Sequence, residues 1–187
     1  TDLPLYYWAH AFADSSRMAD YRYLLGRSRR VLIDSARSPA DALSFPWPNP
    51  AAIRDLAYCR VLPVRQGVGQ FLAAYPAPAI AGGLRGVVVT HGPGFAAEAR
   101  VLAGWLGRRL AACGVEPGSA GVSVETVGDG LEIDFTYADR AKEFRWKGDF
   151  AAGHAEFEAD FGAGPTRLGA ALALLKPEMA LSEAMFF

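Results

Sequence analysis

Apolar residues in the first half of this chain gather into three short unbroken runs; in the second half they alternate with polar ones. The runs Leu3 to Ala9, Val31 to Ile33 and Val87 to Val89 leave no wet position, so each reads as a strand buried on both faces. Segments of helical period separate them, over Ser15 to Leu25 and Pro50 to Leu72. After the third run, Phe95, Ala99, Leu102, Leu106 and Leu110 keep the helical rhythm to Cys113. Strands alternating with helices predict a parallel sheet joined by right-handed crossovers. Farther on, Val122 and Val124, then Leu131, Ile133, Phe135 and Tyr137, alternate with polar residues around Gly128-Asp129-Gly130, which predicts a hairpin with one wet face. Phe144 and Trp146 continue the alternation, and Arg145 and Lys147 are set to face the acids Glu132 and Asp134. Ala155 to Phe161 adds a strand, Leu168 to Leu175 reads as helix, and a short amphipathic tail follows Pro177.

The fold class expected is therefore α/β. A three-layer-like domain would have a mainly parallel central sheet in the first half, extended by antiparallel strands in the second, with helices packed on the sheet. One domain over 1–187 is predicted, with a βαβαβα part at 1–115, antiparallel strands at 119–161 and C-terminal helices at 166–187. The start at Thr1, two residues before an apolar strand, predicts a fragment or processed chain.

The segment from Asn49 to Arg65 carries the most information. Asn is a strong N-cap, and Pro50 suits a first helical position, where its missing N–H has no partner anyway. Ile53, Leu56, Ala57, Val64, Val68 and Phe71 form the buried stripe, yet Arg60 falls on it. A guanidinium there needs a carboxylate, with Asp34 the first choice and Asp55 the second. Pro63 removes a backbone donor and predicts a kink or split just after Arg60. The loop Phe45-Pro46-Trp47-Pro48 brings two large rings beside this segment. Phe45, Trp47, Tyr58 and Arg65 could then build a protein-binding face, since aromatics and arginine carry most interface energy. The competing expectation is that Trp47 folds back as a lid on the core.

Charge and composition narrow the classes. Nineteen basic and twenty acidic residues leave no footprint for nucleic acid. No apolar run approaches the roughly 18 residues of a membrane span. Cys59 and Cys113 lack metal-ligand spacing, and with no secretory leader they read as reduced thiols of a cytoplasmic protein. In an open parallel sheet, ligands sit beyond the carboxyl ends of the strands. His10 and Asp14, Asp34 and Ser35, and Thr90 and His91 occupy those ends, so His10, Asp34 and His91 form a candidate pocket for proton transfer. Helix capping and loop fixing compete with that reading. His91-Gly92-Pro93-Gly94 precedes a helix but lacks a phosphate-loop pattern, and Pro93 removes an amide, so a plain strand-to-helix turn is expected. No GxSxG elbow occurs, and no cofactor or metal is indicated. Cys59 reads as structural, and Gly104 and Gly107 as points of close helix-to-sheet packing.

Asp34-Ser35 after a strand, DLAYCRVLPVR (55–65) and AEARVLAGWLGRRL (97–110), in this order, resemble the C-terminal portion of the glucose-6-phosphate dehydrogenase assembly protein (OpcA) family. The likeness runs from Leu3 to about Leu110, and Asp-Leu-Ala-aromatic-x-Arg-x-x-Pro-x-Arg is its specific part. Val64 stands where that family usually has Trp, and the ending MALSEAMFF lacks its Asp-x-x-Tyr, as in a distant member. The resemblance implies a non-catalytic protein that binds glucose-6-phosphate dehydrogenase and promotes its assembly or activation, with no cofactor. Asp34, Asp55, Arg60, Arg65 and Trp105 match motif positions. The alternative is a small α/β enzyme or ligand-binding module acting on a phosphorylated or acidic metabolite at the strand ends.

Overall fold

Val31 to Ile33 is buried on both faces, as its unbroken apolar character requires, because a strand flanks it on each side and a separate apolar cluster covers each face. The computed structural model describes residues 3–10, 12–116 and 118–187, which form mixed α/β structure in two compact units, 1–60 with 175–187 and 61–174.

The first unit holds a three-stranded parallel sheet, β1 (Tyr6–Trp8), β2 (Arg30–Ile33) and β3 (Ile53–Asp55), in that order. Val31 and Ile33 meet Met18, Leu25 and Trp47 on one face. Leu32 meets Leu56, Cys59, Ala180 and Ala184 on the other. A 3₁₀ segment (Ser15–Tyr21) and α1 (Arg22–Arg27) connect β1 to β2, and the short α2 (Leu56–Arg60) follows β3 directly.

Two expectations change here. The first apolar run is an edge strand, with Trp8 51% exposed, and is not buried on both faces. The helix read from Pro50 is a single 3₁₀ turn followed by β3; Asn49 makes no side-chain cap. Pairing Val31 with Ile53 and Ile33 with Asp55 in the sheet outweighs local helical period, and the β-branched Ile53 suits a strand. Pro63 acts as expected. The helix is split after Arg60, and α3 (Leu62–Leu72) restarts with Pro63 in its first turn, where the missing N–H costs nothing.

The second unit is a six-stranded sheet of order β5-β4-β6-β7-β8-β9, built from β4 (Leu84–His91), β5 (Gly121–Thr126), β6 (Leu131–Tyr137), β7 (Glu143–Asp149), β8 (His154–Asp160) and β9 (Thr166–Ala171). The third apolar run thus belongs to this sheet, antiparallel to β6 and parallel to β5. The expected hairpin does not form, because β4 lies between β5 and β6. The Val127–Gly130 loop instead wraps the end of β4: Val127 N–H donates to His91 O at 3.0 Å and Gly92 N–H to Gly130 O at 2.8 Å. Any Cβ on Gly92 would stand 2.6 Å from the Asp129 backbone, so that close approach requires glycine.

Alternation along β6, β7 and β8 does give one wet face, where Arg145 meets Asp134 at 2.6 Å and Lys147 meets Glu132 at 3.3 Å. The dry face carries Ile133, Phe135, Phe144, Trp146 and Phe157. Phe71 of α3 stacks on Phe157, and α5 (Ala96–Ala112) packs along β4 and β5. The C-terminal helix read over Leu168 to Leu175 is corrected: Thr166–Ala171 is strand β9, antiparallel to β8. Its Leu and Ala residues favour helix, but the open edge of β8 offers ladder hydrogen bonds that local propensity cannot match. Only α6 (Pro177–Phe186) is helical in the 166–187 stretch, and it belongs to the first unit. Of the two helix glycines, Gly107 approaches Val122 as expected, whereas Gly104 is exposed and packs against no strand.

Candidate functional site

The motif residues Asp34, Ser35, Asp55 and Arg60 come together at the carboxyl ends of β2 and β3. Asp55 closes β3 and starts α2. One oxygen, Oδ1, accepts from Ala57 N–H at 3.0 Å, which caps the helix, and from Ser35 N–H at 3.0 Å. Oδ2 accepts from the Ser35 hydroxyl at 2.7 Å. Burial, only partly offset by these donors, pushes the Asp55 carboxyl above its usual range. One residue earlier than Ser35, Asp34 accepts two hydrogen bonds from Arg60, Nη1 to Oδ2 and Nη2 to Oδ1, both 3.1 Å. The expected pairing of Arg60 is therefore with Asp34. The two motif segments are cross-tied: Ser35 holds Asp55 and Asp34 holds Arg60. A five-residue helix has no stability of its own, and these ties fix it.

The other candidates separate. Trp47 is buried, 6% exposed, with its indole N–H donating to Ala42 O at 2.8 Å and its ring against Phe12 and Phe45. Its place in a protein-binding face is thus corrected; the lid reading holds, because the indole donor finds a carbonyl inside the loop. Tyr58 is half-buried on α2. His10 is exposed and meets the Trp8 ring edge-on. Asp14 caps the 3₁₀ segment through Ser16 N–H at 2.8 Å, a bond that lowers its carboxyl pKa. His91 belongs to the second unit and is buried. Its Nδ1 donates to Gly92 O at 2.8 Å, and its Nε2 shares a hydrogen bond with Thr126 Oγ1 at 3.3 Å. Neither unit assembles His10, Asp34 and His91 together; Asp14 caps, Asp34 accepts from Ala36 N–H as well as Arg60, and His91 bonds its own turn.

Two further motif residues, Arg65 and Trp105, meet elsewhere. They line a groove of about 590 Å³ in the second unit, between α3, α4 (Ala77–Ala81) and α5, with Phe135 of β6 also in its lining. Leu62, Ile80, Leu106 and Leu110 make it apolar, while Gln66, Gln70 and Arg109 add polar groups. Tyr137 donates to Ile80 O at 2.9 Å and fixes α4 to the sheet; burial raises its phenol pKa. The groove was not legible in the sequence, because α4 is a five-residue helix in a Pro- and Ala-rich stretch that carries no period. No family model, curated protein or solved structure matches this chain. Among the described residues, no cluster of three metal-ligating side chains occurs and no helix is long and apolar enough to cross a membrane.

Proposed function

We propose that this chain is a non-catalytic assembly protein that binds glucose-6-phosphate dehydrogenase in the cytoplasm and promotes its active form. The observation that carries the reading is the use made of the motif residues. Asp34, Asp55 and Arg60 bond to one another or to Ser35, within the first unit, and so act as scaffold. Arg65 lines a groove of the second unit whose wall includes the buried Trp105 and whose lining joins an apolar floor to guanidinium and amide groups, the composition that interface centres favour. A strand-end enzyme is less well supported, since Asp34 is engaged by Arg60 and both His91 nitrogens have partners.

The test is titration of the purified chain into purified dehydrogenase, read by calorimetry and by dehydrogenase rate. Saturable binding at micromolar concentrations, with a gain in rate, is expected. Arg109 is exposed at the groove. Arg109→Glu should raise Kd about tenfold, a cost of roughly 1.4 kcal/mol, with the fold intact. Absence of any binding would overturn the reading, and unchanged affinity in Arg109→Glu would remove the groove from it.

A further inference from the structure

Arg30 and Arg54 stand on neighbouring strands of the first unit. The pairing Leu32↔Arg54 puts Arg54 beside Leu32, and Arg30, two residues before Leu32 in β2, projects to the same face. The two are diagonal neighbours, within reach of long side chains, and like charges so placed repel unless an opposite charge joins them. No described carboxylate does so. Neither arginine forms an ion pair with a described residue, Glu178 and Glu183 of α6 included.

Both guanidinium groups are also held in place by backbone. Arg54 Nη1 donates to Ala51 O at 3.0 Å and to Ile53 O at 2.8 Å, and Arg30 Nη1 donates to Arg29 O at 3.1 Å. Nη2 of each donates to no described acceptor, and Arg30 Nε is buried with none. A buried donor without an acceptor costs free energy and calls for a reason. Burial and then the nearby Arg30 charge lower the Arg54 pKa, in keeping with two cations set close together.

We infer that Arg30 and Arg54 form a binding site for the phosphoryl group of a small metabolite. The charge match selects this class. Two fixed positive charges are balanced by one group that carries about two negative charges near neutrality, whereas a carboxylate supplies one. Shape agrees, because planar guanidinium forks donate paired hydrogen bonds to phosphate oxygens. Its residues belong to the first unit and the groove residues to the second, and the site does not depend on dehydrogenase binding.

Calorimetric titration of the full chain with inorganic phosphate, phenyl phosphate and acetate, at fixed ionic strength in chloride, tests this. Saturable binding of both phosphates with acetate at least tenfold weaker is expected. Arg54→Gln should weaken phosphate about tenfold, the loss of one charge-assisted hydrogen bond. Arg54→Lys, which keeps the charge and loses the fork, should also weaken it, and serves if the glutamine variant does not fold. Acetate binding as tightly as phosphate, no phosphate binding at all, or unchanged phosphate affinity in a folded variant would each overturn the proposal.

Discussion

Replacing Arg60 by alanine is expected to destabilise the first unit by about 3 kcal/mol, the low end for breaking a buried ion pair from one side. The low end applies because the Arg60 and Asp34 side chains keep 19% and 17% of their exposure, so water softens the loss. What remains after the change is an Asp34 carboxylate whose two 3.1 Å donors are gone. The helix α2 also loses its tie to the end of β2. A double change, Asp34→Leu with Arg60→Leu, should cost less than the sum of the two single changes, since neither charge is then stranded. Denaturant unfolding, with hydrogen exchange of the Val31 to Ile33 amides as the local reporter, reads the effect. An Arg60→Ala variant within about 0.5 kcal/mol of the parent, the range of an ordinary surface change, would refute the structural role of this pair.

That pair could be read from sequence for a plain reason. A charge on a helical apolar stripe is a contradiction that only a partner resolves, and Asp34 directly follows the neighbouring strand, so topology brings the two together. The wet face of β6 and β7 was legible for a similar reason: period two leaves Glu132, Asp134, Arg145 and Lys147 on one side of the sheet. Strand β3 was not legible. Three residues are too few to show a period, and the helix-forming residues after them hid the strand. The placement of β4 between β5 and β6 was likewise hidden, since turn residues such as Gly128-Asp129-Gly130 fit a tight hairpin and a loop over a third strand equally well. Trp47 shows the same limit at the level of one side chain. Prolines on both sides exclude regular structure, but they do not decide whether the ring turns outward or finds the Ala42 carbonyl.

Asp55 separates two roles that sequence cannot distinguish, a charge and a set of acceptors. Asp55→Ala is expected to cost about 3 kcal/mol, combining a lost N-cap with buried donors at Ser35 left without acceptors. Asp55→Asn should be close to neutral at pH 7. The amide oxygen can keep the two backbone donors, its NH₂ can donate to the Ser35 hydroxyl, and the buried negative charge disappears. The pH dependence supplies the second check. Burial raises the Asp55 pKa in the folded state, so the folded protein binds this proton more tightly than the unfolded chain does. Its contribution is fully present below the unfolded pKa of about 3.9 and is lost as pH rises through the folded value. Relative to Asp55→Asn, the parent should therefore lose stability as pH climbs above about 3.9 and through the raised folded pKa, and the difference should level off beyond it. Urea midpoints for both proteins across that range measure it. A parent that gains stability relative to Asp55→Asn over the same range would show that the three hydrogen bonds outweigh burial, and that this carboxylate is held ionised at the end of β3.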